Sequence, residues 1–306
     1  MKDSPAATVL FMTDTHVGAG STGFQQQPRC PQLLGPLFES LKKLVRDRHV
    51  GYLLHGGDLT ELGTAEQIEQ SVGLLRSLNV PAAMCLGNHD LTTPASYGLW
   101  TEALATAGIA VADCVVAVAN WDIILVNTRW SIERQPGYLW TRAVPCVEAI
   151  TDSQLAWLEN VLQQNANRPA IVMTHVPLDP LPPRLTGLEK PIHGAHADYV
   201  QKLESTLNRH SRVKLVLAGH NHVNCATRQN GRIHLSTAAT LEPTFEARLI
   251  HLRPQAVRIE TVPLLPMTQD IQWLPEQAWI SGQTCDRTIE LAFSGTQPSE
   301  SIPSTI

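Results

Sequence analysis

Gly87-Asn88-His89-Asp90 closes the apolar run 80–86, whose length and pattern suit a buried strand, so these four residues lie just past a strand's C-terminal end. Asn, His and Asp in succession offer an amide oxygen, an imidazole and a carboxylate within one tight turn. Taken alone, a loop of this composition is an ordinary turn. The arrangement recurs, however. Asp14-Thr15-His16 follows the run 8–13, Asp58 follows 52–57, His175 follows 170–174, and His220-Asn221-His222 follows 213–219. Five short apolar runs therefore end in oxygen or imidazole donors of the kind that bind hard and borderline metal ions.

The runs between these points set the fold class. Residues 8–13 read as the opening strand, and Leu33, Leu34, Leu37, Phe38, Leu41, Leu44 and Val45 then fall at helical spacing. Residues 52–55 form a second strand. Thr64, with Gln67 three positions on, predicts a capping box at the head of a helix whose face carries Ile68, Val72, Leu75 and Leu78. Strands alternating with helices imply parallel pairing, and such sheets bind ligands beyond their C-terminal ends, where Asp14, Asp58 and Asn88 fall.

A helix over 95–107 and strands over 114–119 and 123–127 come next. Residues 129–146 read as irregular and carry Trp130, Arg134, Tyr138, Trp140 and Arg142. Aromatics and arginines there suit a substrate wall or a loop folded over its own small cluster. A second capping box, Thr151 with Gln154, precedes the strand that delivers His175. The proline-rich stretch 177–191 excludes regular helix and suggests a lid or rim. A helix over 198–208 and a strand over 213–218 follow. Asn230-Gly231 then marks a hairpin within 227–236, and 249–252 with 256–262 suggests another pair. Beyond Pro263, Trp273 and Trp279 are expected to pack an extension onto the domain, 288–293 to form a strand, and the stretch from Ser294 to fray.

With 43% hydrophobic and 17% charged residues among 306, the chain has ordinary globular composition. A net charge of -5 and the lack of Lys/Arg-rich runs argue against nucleic acid as a partner. Six cysteines are scattered without a C-x-x-C pair, and Cys85, inside an apolar run, reads as a reduced core thiol. The first apolar run is too short for a signal-peptide core or a membrane span, so a cytoplasmic protein with no membrane partner is expected.

In this order, Asp14-x-His16, Gly57-Asp58, Gly87-Asn88-His89-Asp90, His175 and Gly219-His220-x-His222 resemble the calcineurin-like metallophosphoesterase superfamily, most closely its cyclic-nucleotide phosphodiesterase (class III) branch. The resemblance implies an α/β fold: a four-layer αββα sandwich of two mixed β-sheets flanked by helices, with the metal site at the strand C-terminal ends. Residues 1–265 would form the metallophosphoesterase domain and 266–306 a C-terminal extension. It also implies two divalent ions (Mn, Fe, Zn or Co), such as clamp a phosphoryl group when about 3.5–4 Å apart. Asp14, His16 and His222 would hold one ion, Asn88, His175 and His220 the other, and Asp58 would bridge them. A metal-bridging hydroxide would attack while His89, oriented by Asp90, protonates the leaving oxygen. In the superfamily's purple acid phosphatases the third residue after the bridging Asp is an iron-binding Tyr. Glu61 at that position speaks against a tyrosinate-bound ferric site.

The implied activity is hydrolysis of a small phosphodiester, such as a 3',5'-cyclic nucleotide. Alternatives are a phosphomonoesterase on the same site, a DNA nuclease, and a non-catalytic protein-binding scaffold. Scaffolds of the superfamily usually lose a ligand or the phosphate-facing histidine, and both are retained here. Substrate contacts are expected from Trp130, Arg134 and Trp140, and from His193 and His196 beyond the proline-rich rim.

Overall fold

The computed structural model describes residues 6–21, 27–111 and 113–293; the expected frayed tail from Ser294 lies outside them. The chain runs β1 (Ala7–Met12), α1 (Leu34–Asp47), β2 (Tyr52–His55), α2 (Ala65–Ser77), β3 (Ala82–Met84), α3 (Ser96–Ala107) and β4 (Ala110–Val111). It continues through β5 (Cys114–Val118), β6 (Trp121–Leu125), β7 (Arg129–Ile132), β8 (Gln135–Gly137), β9 (Cys146–Ala149), α4 (Asp152–Gln164) and β10 (Ala170–Met173). Then come α5 (Pro183–Thr186), α6 (Ala197–Leu207), β11 (Val213–Ala218), β12 (Cys225–Gln229), β13 (Arg232–Ser236), β14 (Glu246–Arg253), β15 (Ala256–Pro263), α7 (Thr284–Arg287) and β16 (Thr288–Ala292).

Two mixed sheets stack face to face. One has the order β16-β15-β14-β1-β2-β3-β4, the other β12-β13-β11-β10-β6-β5. In the first, the parallel strands β1 to β4 are joined on one side by antiparallel β14 to β16; in the second, a parallel centre is flanked by antiparallel β12 and β5. Alternation along β1 explains the layering. Val9 and Phe11 meet Ile123, Ile171, Met173 and Leu217 of the other sheet, whereas Leu10 and Met12 pack outward against Leu37, Phe38 and Leu41 of α1. Both faces of the central strands are thus covered, as continuous apolar runs require. On the far side, Val172 and Val216 pack against Leu158 and Leu162 of α4 and Leu203 of α6. Each such side chain, fully withdrawn from water, contributes about 1.5–3 kcal/mol. The result is the expected αββα arrangement. Among the described residues no helix is long and apolar enough to cross a membrane.

Local signals held unevenly. Thr151 and Gln154 form the full reciprocal capping box. At α2 only half forms: Thr64 accepts from Gln67 N, while the Gln67 side chain turns back to accept from Leu62 N at 2.7 Å. Asn230 and Gly231 have φ of 51° and 74°, joining β12 to β13 as the hairpin signal required. The stretch read as irregular, 129–146, instead carries a hairpin, β7 with β8, and β7 also pairs with β9 to make a third small sheet. Pro136 and Gly137 hide this pattern, and both lie on the edge strand, where a missing N–H donor does no harm. Within the proline-rich rim one helical turn does form, with Pro183 at its first position.

Beyond β15 the chain doubles back. Trp273, Trp279 and Ile280 join Leu181, Leu185, Val223 and Cys225 in a third apolar cluster, and β16 extends the first sheet. The rim is thereby held from behind by residues a hundred positions away. All six cysteines are free, and Cys85 is buried.

Candidate metal centre

Each candidate donor stands where a central strand ends. Asp14 and His16 follow β1, Asp58 follows β2, Asn88 follows β3, His175 follows β10, and His220 and His222 follow β11. Five of these leave the strand in the left-handed region, with φ of 52° at Asp14, 50° at His16, 53° at Asp58, 66° at His220 and 55° at His222. Non-glycine residues held there cost roughly 1–3 kcal/mol each and persist only where surrounding structure fixes them. Backbone bonds between the loops supply that support: Asp14 N to Gly57 O at 3.0 Å, His16 N to Asp58 O at 3.0 Å, and Gly219 N to His175 O at 2.9 Å. The glycines have a steric cause. A Cβ on Gly87 would overlap Asp58 Oδ1, and one on Gly219 would overlap Asp14 Oδ2.

The donors converge in groups. Asp14, His16 and His222 bring ligand atoms within 4.8 Å of one another, as do Asp58, His175 and His220, and also His16, Asp58 and His89. His222 Nε2 lies 3.2 Å from Asp14 Oδ1 and 3.3 Å from His16 Nε2. His220 Nδ1 lies 3.1 Å from Asn88 Oδ1 and 3.2 Å from His175 Nε2. Asp58 Oδ2 stands between the groups, 3.4 Å from His175 Nε2 and 3.9 Å from His16 Nε2.

Electrostatics test the fit to cations. Burial holds His16 down at about 4 and His220 at about 3. Burial also opposes a proton on His175, yet Asp58 pushes that ring up to about 9. Against the same burial, Glu242 and Asp14 push His222 up to about 10. Burial would raise Asp14 and Asp58, but His222 and His175 hold them well below the ordinary carboxylate range. The donor set thus draws positive charge into a dry site. Imidazole nitrogens facing each other at 3.2–3.3 Å need a proton or a metal cation between them. The residues fit one or two divalent ions.

His89 borders this cluster, with its ring 4.8 Å from that of His16. Its backbone N–H donates to Asp58 Oδ1 at 2.7 Å, and its Nδ1 faces the Glu61 carbonyl at 2.9 Å and Glu61 Oε2 at 3.3 Å. The expectation that Asp90 orients His89 is corrected here. Asp90 accepts from Gly87 N at 3.0 Å, Leu59 N at 3.3 Å, and Thr60 N and Oγ1 both at 2.9 Å. Adjacent residues leaving a turn point apart, so Asp90 fastens the loop while Glu61 reaches the ring. Two further residues touch the donors and a third braces one of them. Glu61 Oε2 lies 2.9 Å from His16 Nδ1, Glu242 Oε1 lies 2.9 Å from His222 Nδ1, and Arg29 Nη1 donates to Glu61 Oε2 at 2.8 Å. Glu61 sits beside a motif and could have been found from it. Arg29 and Glu242 carry no motif signal.

Residues 7–224 match the family model described as calcineurin-like phosphoesterase. The chain belongs to that family. It is a metal-dependent phosphoesterase, with the donor groups above as its metal-binding clusters. A 3',5'-cyclic-nucleotide phosphodiesterase of Nostoc sp. is 23% identical over 241 residues, 78% of this chain and 80% of the relative. The 3',5'-cyclic adenosine monophosphate phosphodiesterase CpdA of Escherichia coli is 26% identical over 238 residues, 76% of this chain and 75% of the relative. Among solved structures, a dimetal phosphatase from Danio rerio superposes with a TM-score of 0.68 at 15% identity, covering 95% of this chain and 100% of that one.

Around the metal centre of this phosphoesterase, the expected substrate residues separate. Trp140 packs against His89, with ring centroids 5.4 Å apart. Trp130 is buried with its centroid 6.2 Å from His220, and its Nε1–H has no partner among the described residues. The His193 carbonyl accepts from Asn221 Nδ2 at 3.3 Å, which brings the rim beside the last metal motif. Arg134 and His196 instead line a recess with Ser131, Glu148 and Lys202, apart from the donor groups. Tyr138 stacks on Tyr97 at 3.6 Å and beneath Arg129 at 3.7 Å, the small self-packed cluster that 129–146 also allowed.

Proposed function

We propose that this phosphoesterase hydrolyses a small phosphodiester, with 3',5'-cyclic nucleotides as the first substrate class to test. The observation that carries the reading is the division of the donors into two facing groups with Asp58 between them and His89 beside them. Asp14, His16 and His222 would hold one ion, Asn88, His175 and His220 the other, and Asp58 would be shared. Divalent ions bound there (Mn, Fe, Zn or Co suit these donors) would supply polarisation of the phosphoryl oxygens and activation of a water. The chain's own residues do the rest. Glu61 takes the Nδ1 side of His89, which leaves Nε2 to contact the phosphate and protonate the leaving ester oxygen. Burial opposes a proton on His89, but Asp58 and Glu61 raise its affinity for one, as an acid needs.

Diester over monoester is supported by what surrounds the donors. A monoester is dianionic and favours added fixed positive charge; a diester carries one charge and a second organic group that wants an apolar wall. Arg29, behind the Asp14/His16/His222 group, has its guanidinium turned to Glu61 and Glu242. Trp140 and Trp130 stand beside His89 and His220. The relatives named as cyclic-nucleotide phosphodiesterases favour the same class. The test is a panel of cyclic nucleotides, glycerophosphodiesters, phosphomonoesters and single-stranded DNA given to the Mn-loaded enzyme. The reading expects higher kcat/KM for a diester than for the monoester sharing its leaving group. Faster monoester turnover overturns it.

A further inference from the structure

The two donor groups are backed differently. His16 and His222 both turn Nε2 inward, and behind each ring a carboxylate stands at Nδ1: Glu61 at 2.9 Å and Glu242 at 2.9 Å. Behind His175, among the described residues, Nδ1 meets the neutral carbonyl of Gly56 at 2.9 Å. His220 turns Nδ1 inward, and among the described residues no carboxylate pairs with its other nitrogen. A carboxylate on the outer N–H fixes the ring's tautomer and raises its basicity as a ligand.

Two carboxylates on one side of a site, Glu242 buried and Glu61 half-buried, repel each other unless a cation joins them. Arg29, 5% exposed, is placed to do so, with Nη1 2.8 Å from Glu61 Oε2 and Nε 3.8 Å from Glu242 Oε1. The placement is built into the fold. Cys30 N donates to Leu241 O at 3.0 Å, which ties the segment carrying Arg29 to the segment carrying Glu242. Two residues earlier, the Gln27 amide exchanges bonds of 3.0 and 2.9 Å with the backbone of Leu274. Residues from four distant parts of the chain thus meet behind one donor group.

We infer that Glu61, Arg29 and Glu242 form a bracket of positioning residues for the Asp14/His16/His222 centre. The bracket locks both rings as Nε2 donors and strengthens that centre's hold on its ion. It leaves the Asn88/His175/His220 centre to rely on neutral support. This inference rests on the two-ion reading above, and the experiment separates the two. Chelated protein is titrated with Mn2+ by calorimetry, and binding is followed in parallel by the electron paramagnetic resonance of free Mn2+. Wild type should show two binding events; a single event removes the two-ion reading itself.

Glu242→Gln keeps an oxygen for the His222 N–H but drops the charge. It should weaken one event by about 10- to 100-fold, the usual scale for an outer partner of a metal ligand, and the other by less than about 3-fold. Glu61→Gln should weaken the same event. In a His175→Ala background, which disables the other centre, Glu242→Gln must still weaken the remaining event. As a control, Glu204→Gln, removing a carboxylate that pairs with Arg232 away from the donors, should leave both events in place. Glu61 is 20% exposed, so its Gln variant gives a folded test even where Glu242→Gln lowers the unfolding temperature of the metal-free protein. Equal weakening of both events, no weakening, or weakening of different events by Glu61→Gln and Glu242→Gln overturns the bracket.

Discussion

The metal centre and the proposed substrate wall touch where Trp140 lies against His89, yet they are held by different means. Every donor of the centre hangs from the end of a buried strand, two to four residues beyond the sheet that fixes it. The wall and rim hang from a small third sheet and from a proline-rich loop braced by the C-terminal extension. The comparison teaches where precision comes from. Donors inherit theirs from the two stacked sheets, whereas the wall depends on contacts between segments far apart in sequence. Substitutions in the first region should therefore act on chemistry, and those in the second on stability or substrate choice.

The largest effect should come from Asp58, the residue proposed to be shared by both donor groups. Asp58→Ala should lose more bound metal than His16→Ala, and with it transition-state stabilisation on the order of several kcal/mol. Metal analysis of the purified variants measures this. Equal loss of one ion in both variants would remove Asp58 from its bridging place.

Next in size is His89. His89→Ala should keep near-normal metal content and lose about 10²–10⁴ in rate, the scale of a positioned acid. The loss should shrink for a nitrophenolate leaving group, which needs little protonation. Asp90→Asn should behave otherwise. It disturbs the bonds from Gly87, Leu59 and Thr60, so its effect should appear as lower stability without dependence on the leaving group.

The same contrast explains what the sequence disclosed. Asp14, Asp58, Asn88, His175 and His220 were legible because each directly follows an apolar run, and strand order then brings the ends together. The glycines before Asp58, Asn88 and His220 were legible as motif letters, though their steric cause needed the neighbouring loops. Arg29 and Glu242 were not legible. They meet because β14 pairs with β1 across more than two hundred residues, and nothing local marks either one. The third sheet was hidden for a similar reason: beyond its local hairpin, β7 also pairs with β9, Ser131 with Val147, a partner that local periodicity cannot see.

A smaller effect, on stability, is expected where the rim is braced. Arg184 donates to Asp286 through both terminal nitrogens, at 2.7 and 2.6 Å, and Ala226 N donates to the same carboxylate at 2.7 Å. Asp286→Ala should cost about 1–3 kcal/mol, because the guanidinium left behind is partly solvated. Urea unfolding reads it, with kcat/KM changing little. Burial opposes ionisation of Asp286, but Arg184 overrides this and holds the carboxyl below its ordinary value. The sign follows: the difference from wild type should be full above about pH 4, the unfolded value, and shrink as pH falls through the lower folded one. A difference independent of pH would assign the loss to packing.

The smallest effect divides the wall itself. Trp140 packs on the face of His89, so Trp140→Ala removes apolar surface where a diester's second substituent would lie. It should lower kcat/KM for a diester by several-fold and leave the matching monoester nearly unchanged, within the about 0.5–1.5 kcal/mol that an aromatic contact contributes. Arg134 and His196 supply the counter-case, since they line a recess with Glu148 and Lys202 apart from the donors. Arg134→Ala and His196→Ala should leave both substrates untouched. Reversal of that order, with Arg134→Ala cutting turnover and Trp140→Ala silent, would mean that the substrate reaches across to the small third sheet. The diester preference would then have to come from charge in that recess and not from stacking beside the acid.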